Sequence, residues 1–179
     1  MACAIADLNA DGCDDLAIAN QYWNSVTVNL TVTPSLAQRF GTGCAGASGA
    51  TPAIAAVGTP AVGTAAFTVS VTGARSDQLA LLAFGHSASR VTLPGRSCSL
   101  YFGGGFALLP AFTSPTGAAS ITFAIPATVP LGSDAYLQWI VPPVEALLPW
   151  RERASDAAQL NAFALSDALS DGLRLQFGR

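Results

Sequence analysis

Apolar and polar residues alternate along much of this chain in short runs separated by turn residues. Phe67, Val69 and Val71 alternate with Thr68, Ser70 and Thr72; Ile121, Phe123 and Ile125 alternate with Ser120, Thr122 and Ala124. Leu137, Trp139 and Val141 share a face opposite Tyr136, Gln138 and Ile140, and Leu173, Leu175 and Phe177 do so against Arg174 and Gln176. A period of two sends successive side chains to opposite faces, so each run predicts a strand with one face buried. Leu79 to Phe84 is continuously apolar, as expected of a central strand. Ser97 to Phe102 and Phe106 to Phe112 predict two strands flanking the triple glycine Gly103 to Gly105. Short strands divided by turns predict an all-β fold, an antiparallel β-sandwich of jelly-roll or immunoglobulin-like type, over 44–179.

The first 34 residues form a smaller unit of the same kind. Ala2 to Asp7 and Leu16 to Asn20 are apolar runs on either side of an acidic stretch, as two strands of a hairpin would be. Val26, Val28, Leu30 and Val32 then mark one face of a third strand, ended by Pro34, and 35–43 reads as a linker. One segment breaks the β pattern: 144–159 gathers Glu145, Arg151, Glu152, Arg153 and Asp156 around Pro149 and Trp150. It predicts a protruding loop or short helix. Such a charged segment is either a solvated connection or a partner-binding protrusion anchored by Trp150, Arg151 and Arg153, residue types enriched at interface hot spots.

Composition narrows the partners. Only 11% of residues are charged, 51% are apolar, and the net charge is -3. All eight basic residues are Arg, too few to make a nucleic-acid-binding face. No apolar run reaches the roughly 18 residues that would span a bilayer. The opening Met1-Ala2-Cys3-Ala4 has neither a charged n-region nor an apolar h-region, so a secreted destination implies a leader removed or upstream. Four cysteines without a zinc spacing fit disulfides and an oxidising compartment.

The most specific chemistry lies in Asp7-Leu8-Asn9-Ala10-Asp11-Gly12-Cys13-Asp14-Asp15. Counting Asp7 as position 1, oxygen-bearing side chains fall at positions 1, 3, 5 and 9, a glycine at 6, and Cys13 at 7 offers its backbone carbonyl. Alternate hard oxygens on a tight turn suit Ca²⁺. An EF-hand requires a bidentate acid at position 12, where this chain has Ile18, so the loop predicts a hairpin-tip calcium site closed by Asp15. An Asp/Asn/Gly turn that binds nothing is the alternative.

This stretch, continued through Leu16-Ala17-Ile18-Ala19-Asn20 and Val26-Thr27-Val28, resembles one FG-GAP/VCBS repeat, the calcium-loop unit of integrin-type β-propellers. The resemblance covers about residues 1 to 32. It implies the ligands Asp7, Asn9, Asp11, the Cys13 carbonyl and Asp15. A propeller has several blades and this chain carries one, which must pack on the sandwich, on another chain or on further blades. Residues 40–179 resemble a C-terminal domain of secreted proteins from planctomycete-like bacteria, through Phe40-Gly41-Thr42-Gly43-Cys44, Gly95 with Cys98, Leu137-Gln138-Trp139 and Ser166-Asp167-Ala168-Leu169. That similarity implies an extracellular β-sandwich of no assigned activity. On this division Cys44 and Cys98 staple the sandwich, while Cys3 and Cys13 either pair across the hairpin, remain thiols or bond between chains.

Catalytic signatures are lacking in the sequence. His86 is the sole histidine, and Gly85-His86-Ser87-Ala88-Ser89 is not a nucleophile elbow. Glu145 and Glu152 are the only glutamates, both in the charged segment, and Gly103 to Gly105 lacks the Lys and Ser/Thr of a phosphate loop. The reading is a non-catalytic, secreted or cell-surface calcium-binding module for adhesion, display or assembly, binding a protein or glycan surface ligand. Two alternatives are a carbohydrate-binding sandwich using Tyr22, Trp23 and Tyr101, and a subunit that self-associates through its N-terminal blade or edge strand.

Overall fold

The computed structural model describes residues 2–10, 13–46, 49–93, 98–142 and 168–179. The charged segment 144–159, with Trp150, Arg151 and Arg153, lies outside them. Among the described residues eleven strands form three antiparallel sheets. Strands β1 (Ala2–Ala6), β2 (Asp15–Asn20) and β3 (Ser25–Asn29) make an N-terminal meander. Strands β4 (Leu36–Phe40), β11 (Ala168–Gln176), β10 (Asp134–Val141), β7 (Leu79–Thr92) and β8 (Ser99–Phe112) lie in that spatial order in the largest sheet. Strands β5 (Ala53–Val57), β6 (Phe67–Thr72) and β9 (Ala119–Phe123) form the third.

The second and third sheets make the expected sandwich. Phe67, Val69 and Val71 of β6 are fully buried against Leu82 of β7, Leu137 and Trp139 of β10, and Leu173 and Leu175 of β11. These are the alternate positions of the sequence pattern, and removing them from water is the main favourable contribution to folding. The indole N–H of Trp139 is the only buried side-chain polar atom among the described residues without a hydrogen-bond partner. The five-stranded sheet also buries part of its outer face. There Ala83, Phe102, Ile140 and Leu169 pack with Leu93 and with the disulfide joining Cys44 to Cys98, whose Cα atoms are 5.4 Å apart. This double burial explains why β7 is apolar at consecutive positions.

Polar side chains fasten the fold at three points, the first between the two sheets of the sandwich and the other two within the five-stranded sheet. Asp171 of β11 accepts the Ile54 amide of β5 at 3.0 Å, so one sheet satisfies an edge amide of the other, and it accepts Arg39 Nε at 2.6 Å. The buried amide of Gln138 donates from Nε2 to the carbonyls of Ser99 (3.0 Å) and Ser170 (2.8 Å) and accepts the Tyr101 amide at 3.1 Å. Arg174 holds Asp134 through two bonds of 3.1 and 2.9 Å. This pairing raises the guanidinium's already high pKa, so Arg174 stays charged.

Two expectations change. Leu36–Phe40, inside the expected linker, is a strand that pairs with β11 from Leu36↔Gln176 to Phe40↔Gly172. The two strands expected around the triple glycine are one, β8, fourteen residues long and paired with β7 from Leu79↔Phe112 to Thr92↔Ser99 across two register shifts. At the register shift between Gly85 and Ser87, the single residue His86 faces Gly104 and Gly105, both at positive φ. A Cβ on Gly104 would collide with Ser87 Oγ and His86 Nε2. The glycines therefore carry the ladder through a bulge instead of ending it.

Candidate functional site

The acidic loop is the connection between β1 and β2. Pairing runs from Ala2↔Ala19 to Ala6↔Asp15, so the loop closes where Asp15 enters its strand. Asp15 is fully buried. Its Oδ2 accepts the Leu8 amide at 2.8 Å and its Oδ1 accepts the Thr31 amide at 2.7 Å. One carboxylate thus ties the start of the loop to the segment leaving β3. Two charge-assisted bonds to backbone amides offset the cost of burying it. Ala10 at the tip has φ of 56°. A non-glycine residue in this left-handed region is strained by about 1–2 kcal/mol, which the surrounding bonds must hold in place.

A second tie runs from the loop to the sandwich. Cys13 Sγ lies 3.1 Å from the hydroxyl of Thr33, a buried residue whose carbonyl accepts the amide of Arg179 at 3.2 Å. Thr33 therefore joins the loop to the chain's final residue. Neither Thr31 nor Thr33 was singled out in the sequence, because the alternation of Val26, Val28, Leu30 and Val32 directs attention to the other phase. Thr33 before Pro34 was the one available signal, since a buried hydroxyl next to a strand stop needs a partner.

The loop brings Asp7, Asn9, Cys13 and Asp15 into one turn; Asp11 and Gly12 lie outside the described residues. Among the described residues no group of three or more His, Cys, Asp or Glu side chains converges, so Asn9 and backbone carbonyls would have to complete a cation site here. The donor chemistry fits a hard cation. Each carboxylate oxygen of Asp15 accepts one amide and retains a second lone pair. Comparison with family models, curated proteins and solved structures finds no match. The chain's own residues carry the functional argument.

Cys3 and Cys13 are not joined. The hairpin register explains which of the open alternatives holds: Cys3 sits opposite Ile18, whereas Cys13 lies in the loop beyond the last pair, Ala6↔Asp15. Three residues of strand at ~3.3 Å each already put Cys3 roughly 10 Å from that last pair, beyond the ~7 Å limit for bridged Cα atoms. Of the aromatic residues proposed for sugar binding, Tyr101 is buried and its hydroxyl is engaged by Thr42, accepting that residue's amide at 2.9 Å. Tyr22 and Trp23 remain, 91% and 74% exposed on the β2–β3 turn and packed edge to face at 5.9 Å. His86 is exposed at the β7–β8 bulge. Among the described residues no helix is long and apolar enough to cross a membrane.

Proposed function

We propose that the chain is a non-catalytic, secreted or cell-surface module in which Ca²⁺ bound by the β1–β2 loop stiffens the N-terminal meander for adhesion, display or assembly. The observation that carries this reading is Asp15, whose buried carboxylate already gathers both ends of the loop. Such a residue holds its neighbours within reach of one point. Asp7, Asn9, Asp11, the Cys13 carbonyl and Asp15 would hold the ion. A bound cation would neutralise the clustered carboxylates and fix the loop; no bond-making chemistry is asked of it. The disulfide supports an oxidising compartment.

The test is thermal unfolding with millimolar Ca²⁺ and with EDTA. Extracellular calcium modules bind with Kd of about 10⁻⁴ to 10⁻³ M, so linkage stabilises the loop by ~0.5–1.5 kcal/mol. A melting temperature indifferent to calcium, with no heat of binding by calorimetry, would reject the calcium reading.

A further inference from the structure

Among the described residues fifteen large apolar side chains stand exposed, and eight of them lie in the first 32 positions. Every residue of β1 and of β3 is exposed. The meander is thus a sheet that the described residues of the sandwich do not cover, although so small a sheet needs a packed hydrophobic face to be stable in water. Its two faces differ. The register aligns Ala2, Ala19 and Val26 in one row and Ala4, Ala17 and Val28 in the next. That face carries no polar side chain until Asp15, which is turned into the loop's own bonds. The opposite face mixes Cys3, Ile5, Leu16 and Ile18 with the polar Thr27 and Asn29.

We propose that the alanine and valine face docks on the same face of a second copy of this chain, related by a two-fold axis running along the strands. This deepens the assembly reading of the module and does not depend on its calcium. A second copy fits for three reasons. First, the face is neutral, so it has no charge for a charged partner to complement, and small side chains let two sheets approach closely. Second, both outer strands, β1 and β3, are exposed along their whole length, so both flanks of the face are open to a second sheet. Third, the exposed Tyr22 and Trp23 sit at the end of the sheet that also holds a shallow recess lined by Ala19, Asn20, Asn24 and Val26. The two-fold axis brings both turns together, so each aromatic pair meets the other copy's recess, as an isologous contact requires.

The size of the contact sets its strength. Strands of five or six residues at ~3.3 Å per residue and ~4.8 Å apart give a face of roughly 18 by 14 Å. Burying two such faces with the aromatic rims removes about 1,000 Å² in total, the lower bound for a specific interface. The dimer is therefore weak and reversible, not obligate.

Sedimentation velocity of the full chain over a broad concentration range, in calcium and in EDTA, tests this. The expected result is a monomer–dimer equilibrium. The two-fold axis places Ala4 of one copy over Val28 of the other. Ala4→Glu and Val28→Arg are each expected to be monomeric, and an equimolar mixture of the two to recover the dimer. That recovery also shows that both variants still fold. A wild-type chain monomeric at every concentration, variants that dimerise as well as wild type, or a mixture that stays monomeric overturns the proposal. So does a monomer that binds a glycan array through Tyr22 and Trp23. Calcium-dependent melting of the same samples decides the calcium reading separately.

Discussion

The carboxylate of Asp15 accepts the backbone amide of Thr31 at 2.7 Å, across sixteen residues of chain. With the bond from Leu8, this makes one buried side chain the point at which loop, β2 and the exit from β3 meet. Asp15→Ala removes two charge-assisted bonds and leaves both amides unsatisfied, at a cost of about 3 kcal/mol to the meander. Hydrogen exchange is the direct measurement. The Leu8 and Thr31 amides are expected to lose roughly a hundredfold protection, while Val69 and Leu82 in the sandwich keep theirs.

Calcium should act on the same hairpin. Wild-type protein is expected to melt ~1–6 °C higher in millimolar Ca²⁺ than in EDTA, and Asp7→Asn combined with Asn9→Ala to erase that difference, whatever its melting point in EDTA. Scanning calorimetry of both proteins in both buffers reads this. A calcium shift that survives the double substitution would remove Asp7 and Asn9 from the site.

The disulfide closes a loop of sequence separation 54. In the chain-entropy model this contributes about 4 kcal/mol, so Cys44→Ser with Cys98→Ser should lower the melting temperature by ~8–16 °C. Reductant should do the same to wild type. Cys3→Ser should leave it unchanged, because Cys3 is exposed and not part of a disulfide.

Asp171 and Arg39 form an ion pair at 2.6 Å, yet their two partners differ in burial. The Arg39 side chain is 55% exposed, so Arg39→Gln should cost under ~1 kcal/mol. Asp171→Ala also orphans the buried Ile54 amide and should cost about 2–3 kcal/mol. Urea denaturation of the two variants is expected to separate them clearly; equal losses would mean that the ion pair, not the inter-sheet bond, carries the energy.

Gln138 satisfies Ser99, Ser170 and Tyr101 at once, so Gln138→Leu fills the space but strands three backbone groups. It should cost about 3 kcal/mol or more despite its higher hydrophobicity. A stabilised Gln138→Leu protein in urea would show that relaxed backbone or water replaces the amide.

Much of this architecture was legible in the alternation of residues. Phe67, Val69 and Val71 announced an inward face, and Leu79 to Phe84 a strand covered on both sides, because burial imposes its period directly on sequence. Leu36–Phe40 gave no such sign: it is an edge strand, half-exposed, with Arg39 and Gln38 in a pattern that also suits a linker. The triple glycine misled for a related reason. Glycine both ends strands and permits bulges, and the difference lies in what faces it, here His86.

The sequence by itself determined the class of fold, the positions of the sandwich core and the oxygen-rich turn between the first two strands, since each depends on neighbours a few residues apart. It also marked Cys44 and Cys98 for each other through a resemblance. Only the tertiary structure decided that Cys3 and Cys13 lie too far apart to bond, that Asp15 spends its carboxylate on Leu8 and Thr31, and that an alanine and valine face is left uncovered by the described residues. Those outcomes depend on strand register and on packing between segments distant in the chain, and no local pattern encodes either.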